Sequence, residues 1–237
     1  MLELKSIKRH FGALKVIDGI DLSVAQGEVL GILGPNGAGK STLFNLISGN
    51  LAPTSGTVLF EGKDIGTKKP WTRVRGGIGR SFQIPKPFVH LSVFENILVS
   101  AAHGARLPLG QARAEAAKAM HLTQLDDSAD TLAGDLSLLD LKRLELAKAL
   151  ATQPRLLLLD EIAGGLTESE CSELLEIIRV VHAQGVTVVW IEHVLHALMQ
   201  VATRLAVIAQ GGLITTGQPQ DVLENKRVQE LYLGAVE

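Results

Sequence analysis

A chain of 237 residues with 23 Lys and Arg against 25 Asp and Glu, formally −2 at pH 7, can bury a core without disulfides and is too evenly charged for electrostatic binding of nucleic acid. Its single cysteine, Cys171, excludes an internal disulfide and fits a reducing compartment, with a small core or helix-face role for the thiol. No apolar run approaches the roughly 18–20 residues that cross a bilayer and no signal-peptide pattern opens the chain, so no membrane span of its own is expected, although 46% hydrophobic residues leave either a large core or an apolar surface kept for a partner.

Residues 2–8 alternate apolar and polar, and Ile20 to Val24 do so again, which predicts half-exposed antiparallel strands. "GEVLGIL" (Gly27–Leu33) reads as a buried strand running into glycines, then into "STLFNLISGN", where Leu43, Leu46 and Ile47 share a helical face and Gly49 suits the stop. "GTVLFEGKDI" is a strand and turn. From Pro85 to about Leu150, three segments carry helical periodicity: "FVHLSVFENILVSAA", "LGQARAEAAKAMHLTQL" and "LLDLKRLELAKALA". "PRLLLLDE" is a continuous apolar strand whose four leucines contribute, as an upper figure, roughly 6–12 kcal/mol on burial. "TESECSELLEIIRVVHAQG" is a helix opened by a Thr167/Glu170 capping box and closed at Gly185. "VTVVWIEH" is another buried strand, and "RLAVIAQGGLITTG" reads as a hairpin turning at Gly211-Gly212. Strands alternating with helices predict an α/β fold with a mainly parallel sheet and an antiparallel N-terminal edge.

"GPNGAGKST" fits G-x-x-x-x-G-K-[ST] between a strand and a helix: Gly34, Pro35, Asn36, Gly37, Ala38, Gly39, Lys40, Ser41 and Thr42. Glycines let main-chain amides crowd around phosphates, and the helix starting near Lys40 aims its positive end at them. Lys40 adds a charge against the outer phosphates, and the Ser41 hydroxyl suits Mg²⁺. A nucleotide's metal also needs a carboxylate at the end of a neighbouring strand. Asp160 supplies it, and Glu161, alternating to the other side of the strand, is placed to orient or deprotonate an attacking water. No N-K-x-D base-reading motif accompanies the loop, which argues against a GTPase.

At these residues the sequence resembles the nucleotide-binding subunits of ABC transporters, over essentially its whole length. The resemblance implies a P-loop NTPase fold in one domain, 1–237, with 1–84 and 151–237 forming the α/β core and its antiparallel β subdomain, and 85–150 an inserted α-helical subdomain. It implies ATP and Mg²⁺ as ligands, Phe11 stacking on adenine with Val16 nearby, Gln83 of "SFQ" contacting the metal, and His193 of "IEH" touching the γ-phosphate. It implies a second ABC ATPase subunit, the same chain or another, transmembrane permease subunits, and a place on the cytoplasmic face of the cell membrane. "GGIGRSFQIPKPFVHLSVFENILVSA", "IAQGGLITTGQPQDVLEN" and "VQELYLG" are similar to the ATP-binding subunits of branched-chain amino-acid importers and their relatives for amides or urea. Pro85, Pro87, Phe88 and Val89 form a candidate docking groove for the permease.

One segment departs from the pattern. The family's signature reads L-S-x-G-Q, and its serine and glycine amide grip the γ-phosphate held by the partner subunit. Here Ser137 survives, but Leu139 stands at the glycine position and Asp140 at the glutamine position. The expected consequences are a side chain where backbone and phosphate should meet, and a negative charge brought towards a polyanion. In the following loop, Ile162 replaces the usual proline and Thr167 stands near the usual Asp or Asn. The resulting expectation is an asymmetric pair of sites, one impaired. A non-catalytic nucleotide-binding regulator and an ABC ATPase not attached to a transporter remain as alternatives.

Overall fold

A computed structural model describes residues 1–233; Gly234, the last residue of the "VQELYLG" motif, lies outside them. In chain order the strands and helices are β1 (Leu2–Phe11), β2 (Leu14–Val24), β3 (Val29–Leu33), α1 (Lys40–Ser48), β4 (Ser55–Phe60), β5 (Lys63–Asp64), α2 (Pro70–Arg75), β6 (Ile78–Arg80) and α3 (Val93–Val99). A π turn, Ser100–Gly104, continues α3 and leads to α4 (Leu109–Leu122), α5 (Leu138–Leu150), β7 (Leu156–Asp160) and α6 (Glu168–Ala183). The chain closes with β8 (Thr187–Ile191), α7 (Leu195–Val201), β9 (Arg204–Ala209), β10 (Gly212–Gly217), α8 (Pro219–Glu224) and α9 (Lys226–Leu233). Two compact units are formed, one from Met1–Pro70 with the chain from Thr187 onward, the other from Trp71–Val186.

In the first unit, β1 pairs antiparallel with both β2 and β4, and β5 pairs with β4, giving the order β2-β1-β4-β5. The expected alternation places Ile20, Leu22 and Val24 inside, but in β1 it holds only from Leu2 to Leu4: the register shifts there, with Ser6 at φ 45°, and that irregularity brings Ile7 inside. Beside this layer, β3 runs parallel between β8 and β9, and β10 returns antiparallel along β9. All five residues of β3 are buried, as are all five of β8, which is how a strand covered on both faces reads in sequence. Gly31 lets α7 come down on the sheet, since a Cβ there would sit 2.5 Å from the Leu205 side chain and 3.2 Å from Leu198. The β9–β10 hairpin turns one residue earlier than the sequence suggests: Ala209 pairs with Gly212, so Gln210 and Gly211 form the loop at φ 50° and 76°. Positive φ at both positions is the type I′ pattern, one of the two two-residue turns that match strand twist, and Gln210 accepts it. Gly211 is required, because a Cβ would meet the Val16 carbonyl at 2.8 Å.

In the second unit, β6 and β7 pair in parallel, and the four leucines of β7 are buried. The three helical segments expected between Pro85 and Leu150 are α3 with its π turn, α4 and α5, and they pack on one another. Ser92 and Glu95 form a capping box at α3, and Thr167 and Glu170 form the expected one at α6. The Thr167 backbone N–H and then its hydroxyl hold the Glu170 carboxyl below its ordinary range. That contribution is therefore present above the unfolded carboxylate's pKa and is lost as pH falls through the lowered folded value. Cys171 is buried in α6.

Gly56 tests the first unit's register away from any site. It lies at φ 85°, and a Cβ there would fall 2.4 Å from the Ser6 carbonyl and 2.7 Å from the Ile7 Cα. Gly56→Ala should lower stability by more than about 1 kcal/mol in urea unfolding; a neutral result contradicts the β1–β4 pairing.

Candidate functional site

The residues singled out in the sequence fall into both units, and each group is built by its own strands. In the first unit, β3 ends at Leu33 and the chain passes through Gly34–Gly39 into α1. Gly34 is forced by close approach: a Cβ would sit 2.1 Å from the Ile208 carbonyl of β9. Gly39 caps α1 at φ 97°, where a Cβ would lie 2.8 Å from the Val16 carbonyl, so Val16 lies against the loop. Pro35, Asn36 and Gly37 form an exposed rim, while Ala38, Gly39 and Lys40 are buried. Lys40 Nζ donates to the Gly34 carbonyl at 2.7 Å and the Pro35 carbonyl at 3.0 Å, closing the loop into a ring. No side chain among the described residues caps α1, the arrangement in which a helix offers its first amides to an anion. Ser41 is exposed and Thr42 half-buried at the start of the helix.

Phe11 ends β1 with its ring exposed, and the Arg9 guanidinium lies 4.4 Å from the ring centroid. His193 follows β8, its side chain exposed and its Nδ1 3.2 Å from Oε1 of Glu192. The buried Glu192 carboxylate also accepts from the His193 amide at 2.9 Å and the Val194 amide at 3.3 Å. Glu192 was not among the residues expected; only its place between a buried strand and His193 pointed to it.

In the second unit, Asp160 is the last residue of β7. Its Oδ2 accepts from Arg80 Nη2 at 2.7 Å, and its Oδ1 is buried with no hydrogen-bond partner among the described residues. A buried carboxylate oxygen lacking a donor is a fitting ligand for a cation, so Asp160 fits Mg²⁺. Glu161 does not continue the strand's alternation. It lies past the end of β7 at φ 46°, a left-handed conformation that costs on the order of 1 kcal/mol or more in a non-glycine residue. Its Oε2 accepts from Gln83 Nε2 at 2.6 Å, which joins two of the expected residues directly. The buried Lys142, from α5, donates to the Gln83 carbonyl at 2.8 Å and reaches the Glu161 carbonyl at 3.5 Å.

At the start of α5, Ser137 is the N-cap and its Oγ accepts from the Asp140 amide at 3.1 Å. The Ser137 hydroxyl in turn donates to Asp140 Oδ2 at 2.8 Å, and Arg143 Nη1 donates to Asp140 Oδ1 at 3.3 Å. Arg143 extends this cluster to Gln124 Oε1 at 3.1 Å and Glu173 Oε2 at 2.6 Å.

A family model described as ABC transporter matches residues 17–164. The chain is 33% identical to a probable branched-chain amino acid transport ATP-binding protein, LivG, of Methanocaldococcus jannaschii, across 99% of this chain and 97% of that one. It is 31% identical to the high-affinity branched-chain amino acid transport ATP-binding protein LivG of Escherichia coli, across 99% and 98%. Among solved structures it superposes on the ADP conformation of an ATP-binding cassette of an ABC transporter with a TM-score of 0.91 at 33% identity, covering 99% of this chain and 98% of that one. The chain belongs to the ABC transporter family of ATPases. A dimeric bacterial ABC transporter cassette, 23% identical with a TM-score of 0.84 over 92% of this chain and 99% of that one, shares the fold.

For this ABC ATPase, one expectation about the signature segment needs correcting. Leu139 does not project outward: its side chain is 8% exposed, whereas the neighbouring Leu138 is 44% exposed and packs 3.2 Å from the position of a Cβ on Gly165. Successive helix residues are about 100° apart, and at the first turn of α5 it is Leu139 that faces inward and Leu138 that does not. The exposed leucine of the pair is Leu138, and Leu139→Gly would be a core deletion costing about 3–6 kcal/mol. Asp140 is likewise turned back onto its own helix rather than left pointing outward.

Lys40→Met should abolish nucleotide binding, raising the dissociation constant by about 100-fold or more by calorimetry. The fold should persist, which circular dichroism checks. Undiminished binding would contradict the loop's role.

Proposed function

We propose that this ABC ATPase powers a membrane importer, with branched-chain amino acids or related small polar solutes as its cargo, and that it works in a dimer whose two ATP sites are unequal. The observation that carries the transporter reading is an apolar face whose backbone is pinned. Ile84, Phe88 and Val89 are all exposed. Behind them the buried Asn96 accepts from the Phe88 amide at 2.8 Å and donates to the carbonyls of Phe88, Leu91 and Ser92 at 3.1, 3.2 and 2.9 Å. The Lys86 amide is held by Glu145 at 2.8 Å and its carbonyl by Lys148 at 2.9 Å. Side chains exposed on a rigid backbone suit a partner surface. Among the described residues no helix is long and apolar enough to cross a membrane, so the partner would supply the spanning segments. The cargo follows the full-length relatives.

In the proposed mechanism, Gly34–Gly39 and the N-terminus of α1 receive the triphosphate, and Lys40 shifts a proton donor from the loop carbonyls to the outer phosphates. Phe11 and Val16 would flank the base. Asp160, Ser41 and Gln83 would hold Mg²⁺, which supplies charge neutralisation on the phosphates. Glu161, its carboxylate fixed by Gln83 and its backbone by a left-handed turn, orients and deprotonates the attacking water. His193 would meet the γ-phosphate, with Glu192 setting the ring's orientation. The helical segment 85–150 carries the docking face and the signature.

The signature is where the sites differ. In an L-S-x-G-Q segment the serine hydroxyl and a helix N-terminus are offered to the partner's γ-phosphate. Here Asp140 takes that hydroxyl and places its own carboxylate at the N-terminus of α5. The impaired site is the one this segment completes. The site formed on this chain's own loop needs a partner with an intact signature.

Two outcomes follow. Measured alone, the chain should bind Mg-ATP but turn it over slowly, and Asp140→Gln should raise steady-state turnover by about tenfold or more by releasing Ser137. No gain would mean that the Ser137–Asp140 pair is harmless. Phe88→Glu should abolish co-purification with the permease while leaving ATP binding unchanged; retained association would move the docking face elsewhere.

A further inference from the structure

We propose that Arg80 is a resident counter-cation of Asp160 that excludes free Mg²⁺ and admits the metal only together with the charge of a nucleotide. The inference rests on reading Asp160 as the metal-holding acid. Arg80 ends β6, opposite Leu158 in the β6–β7 ladder, and its side chain reaches forward to the end of the neighbouring strand. The 2.7 Å bridge to Asp160 is buried, with side-chain exposures of 10% and 7%. The guanidinium carbon also lies 5.1 Å from the centroid of the Phe82 ring, which holds the head of the side chain from a second direction.

This geometry divides the Asp160 carboxylate. One oxygen is neutralised by Arg80, and the other is buried without a hydrogen-bond partner among the described residues. A divalent cation at that second oxygen would share a carboxylate with a fixed guanidinium, and in a poorly screened site their repulsion opposes binding. A bound triphosphate changes the balance, because its charges offset both cations. Without Arg80, the empty site would hold an uncompensated buried carboxylate, which destabilises the fold. The same loss would raise the gain from binding Mg²⁺. Apo stability and metal affinity should thus move in opposite directions. A bridge that only ties strand ends together would lower stability and leave the metal dependence alone. A bridge that aims Asp160 at the metal would, on removal, weaken Mg²⁺.

The test compares the purified full-length chain with Arg80→Met and Asp160→Asn, reading thermal unfolding in MgCl₂ alone and the Mg²⁺ concentration needed for half-maximal ADP binding. Wild type should show no shift in Tm with MgCl₂ alone. Arg80→Met should start at a lower Tm, rise with MgCl₂ alone, and need about tenfold less Mg²⁺ for ADP binding. Arg80→Lys should stay close to wild type in metal dependence, because the charge remains. The double substitution Arg80→Met with Asp160→Asn should recover Tm relative to Arg80→Met alone. Should Arg80→Met fail to fold, Arg80→Gln carries the same metal measurement. A metal requirement lost in Asp160→Asn but unmoved, or increased, in Arg80→Met or Arg80→Gln overturns the counter-cation. A metal requirement that survives Asp160→Asn overturns the metal reading of Asp160, and the proposal with it.

Discussion

A triphosphate can be wrapped by main-chain amides only where the backbone turns tightly with no side chains in the way, and the first unit is arranged around that requirement. Gly34 passes so close to the β9 carbonyl of Ile208 that no Cβ fits, and Gly39 turns against Val16 with a positive φ. These two contacts fix the loop between the end of a buried strand and the start of α1. The strand itself holds its place because β8 and β9 flank it in parallel and Gly31 admits Leu198 from above. Lys40, folded back onto loop carbonyls, keeps the turn closed.

The second unit gathers acids and the groups that restrain them. Glu161 adopts a backbone conformation that side chains avoid, and it is held there by bonds to its neighbours: Gln83 on the carboxylate, and Lys142 from α5 near its carbonyl. Lys142 comes from the same helix whose first turn carries Ser137 and Asp140, so one helix bears on both the proposed water-orienting pair and the signature. Asp160 and Asp140 illustrate two ways of treating a carboxylate. Asp140 is satisfied by Ser137 and Arg143 through both of its oxygens, whereas Asp160 is satisfied through only one.

Much of this was legible in the sequence because it is local. The phosphate loop is a contiguous pattern with its own strand and helix, the buried strands are continuous apolar runs, and the Thr167/Glu170 box lies within one turn. Periodicity also gave the three helical segments of residues 85–150. What escaped was set by direction or by distance along the chain. Which of Leu138 and Leu139 faces inward depends on the phase of a helix at its first turn. The Arg80–Asp160 bridge joins residues 80 positions apart, brought together by strand pairing. The left-handed turn at Glu161 has no signature in its own residue type, since glutamate is not a residue that seeks positive φ. Glu192 and Asn96 act through burial, which composition does not display residue by residue.

The central claim is that the signature of this chain is occupied by its own carboxylate and cannot close over a second copy's nucleotide. Sedimentation of the Glu161→Gln chain with saturating Mg-ATP tests it most directly, because with the role proposed for Glu161 that substitution should stop turnover and preserve any ATP-bridged pair. The account predicts a monomer carrying bound ATP, converting to a dimer only when an ABC ATPase with an intact signature is added. An ATP-dependent homodimer of the unaltered signature would contradict it.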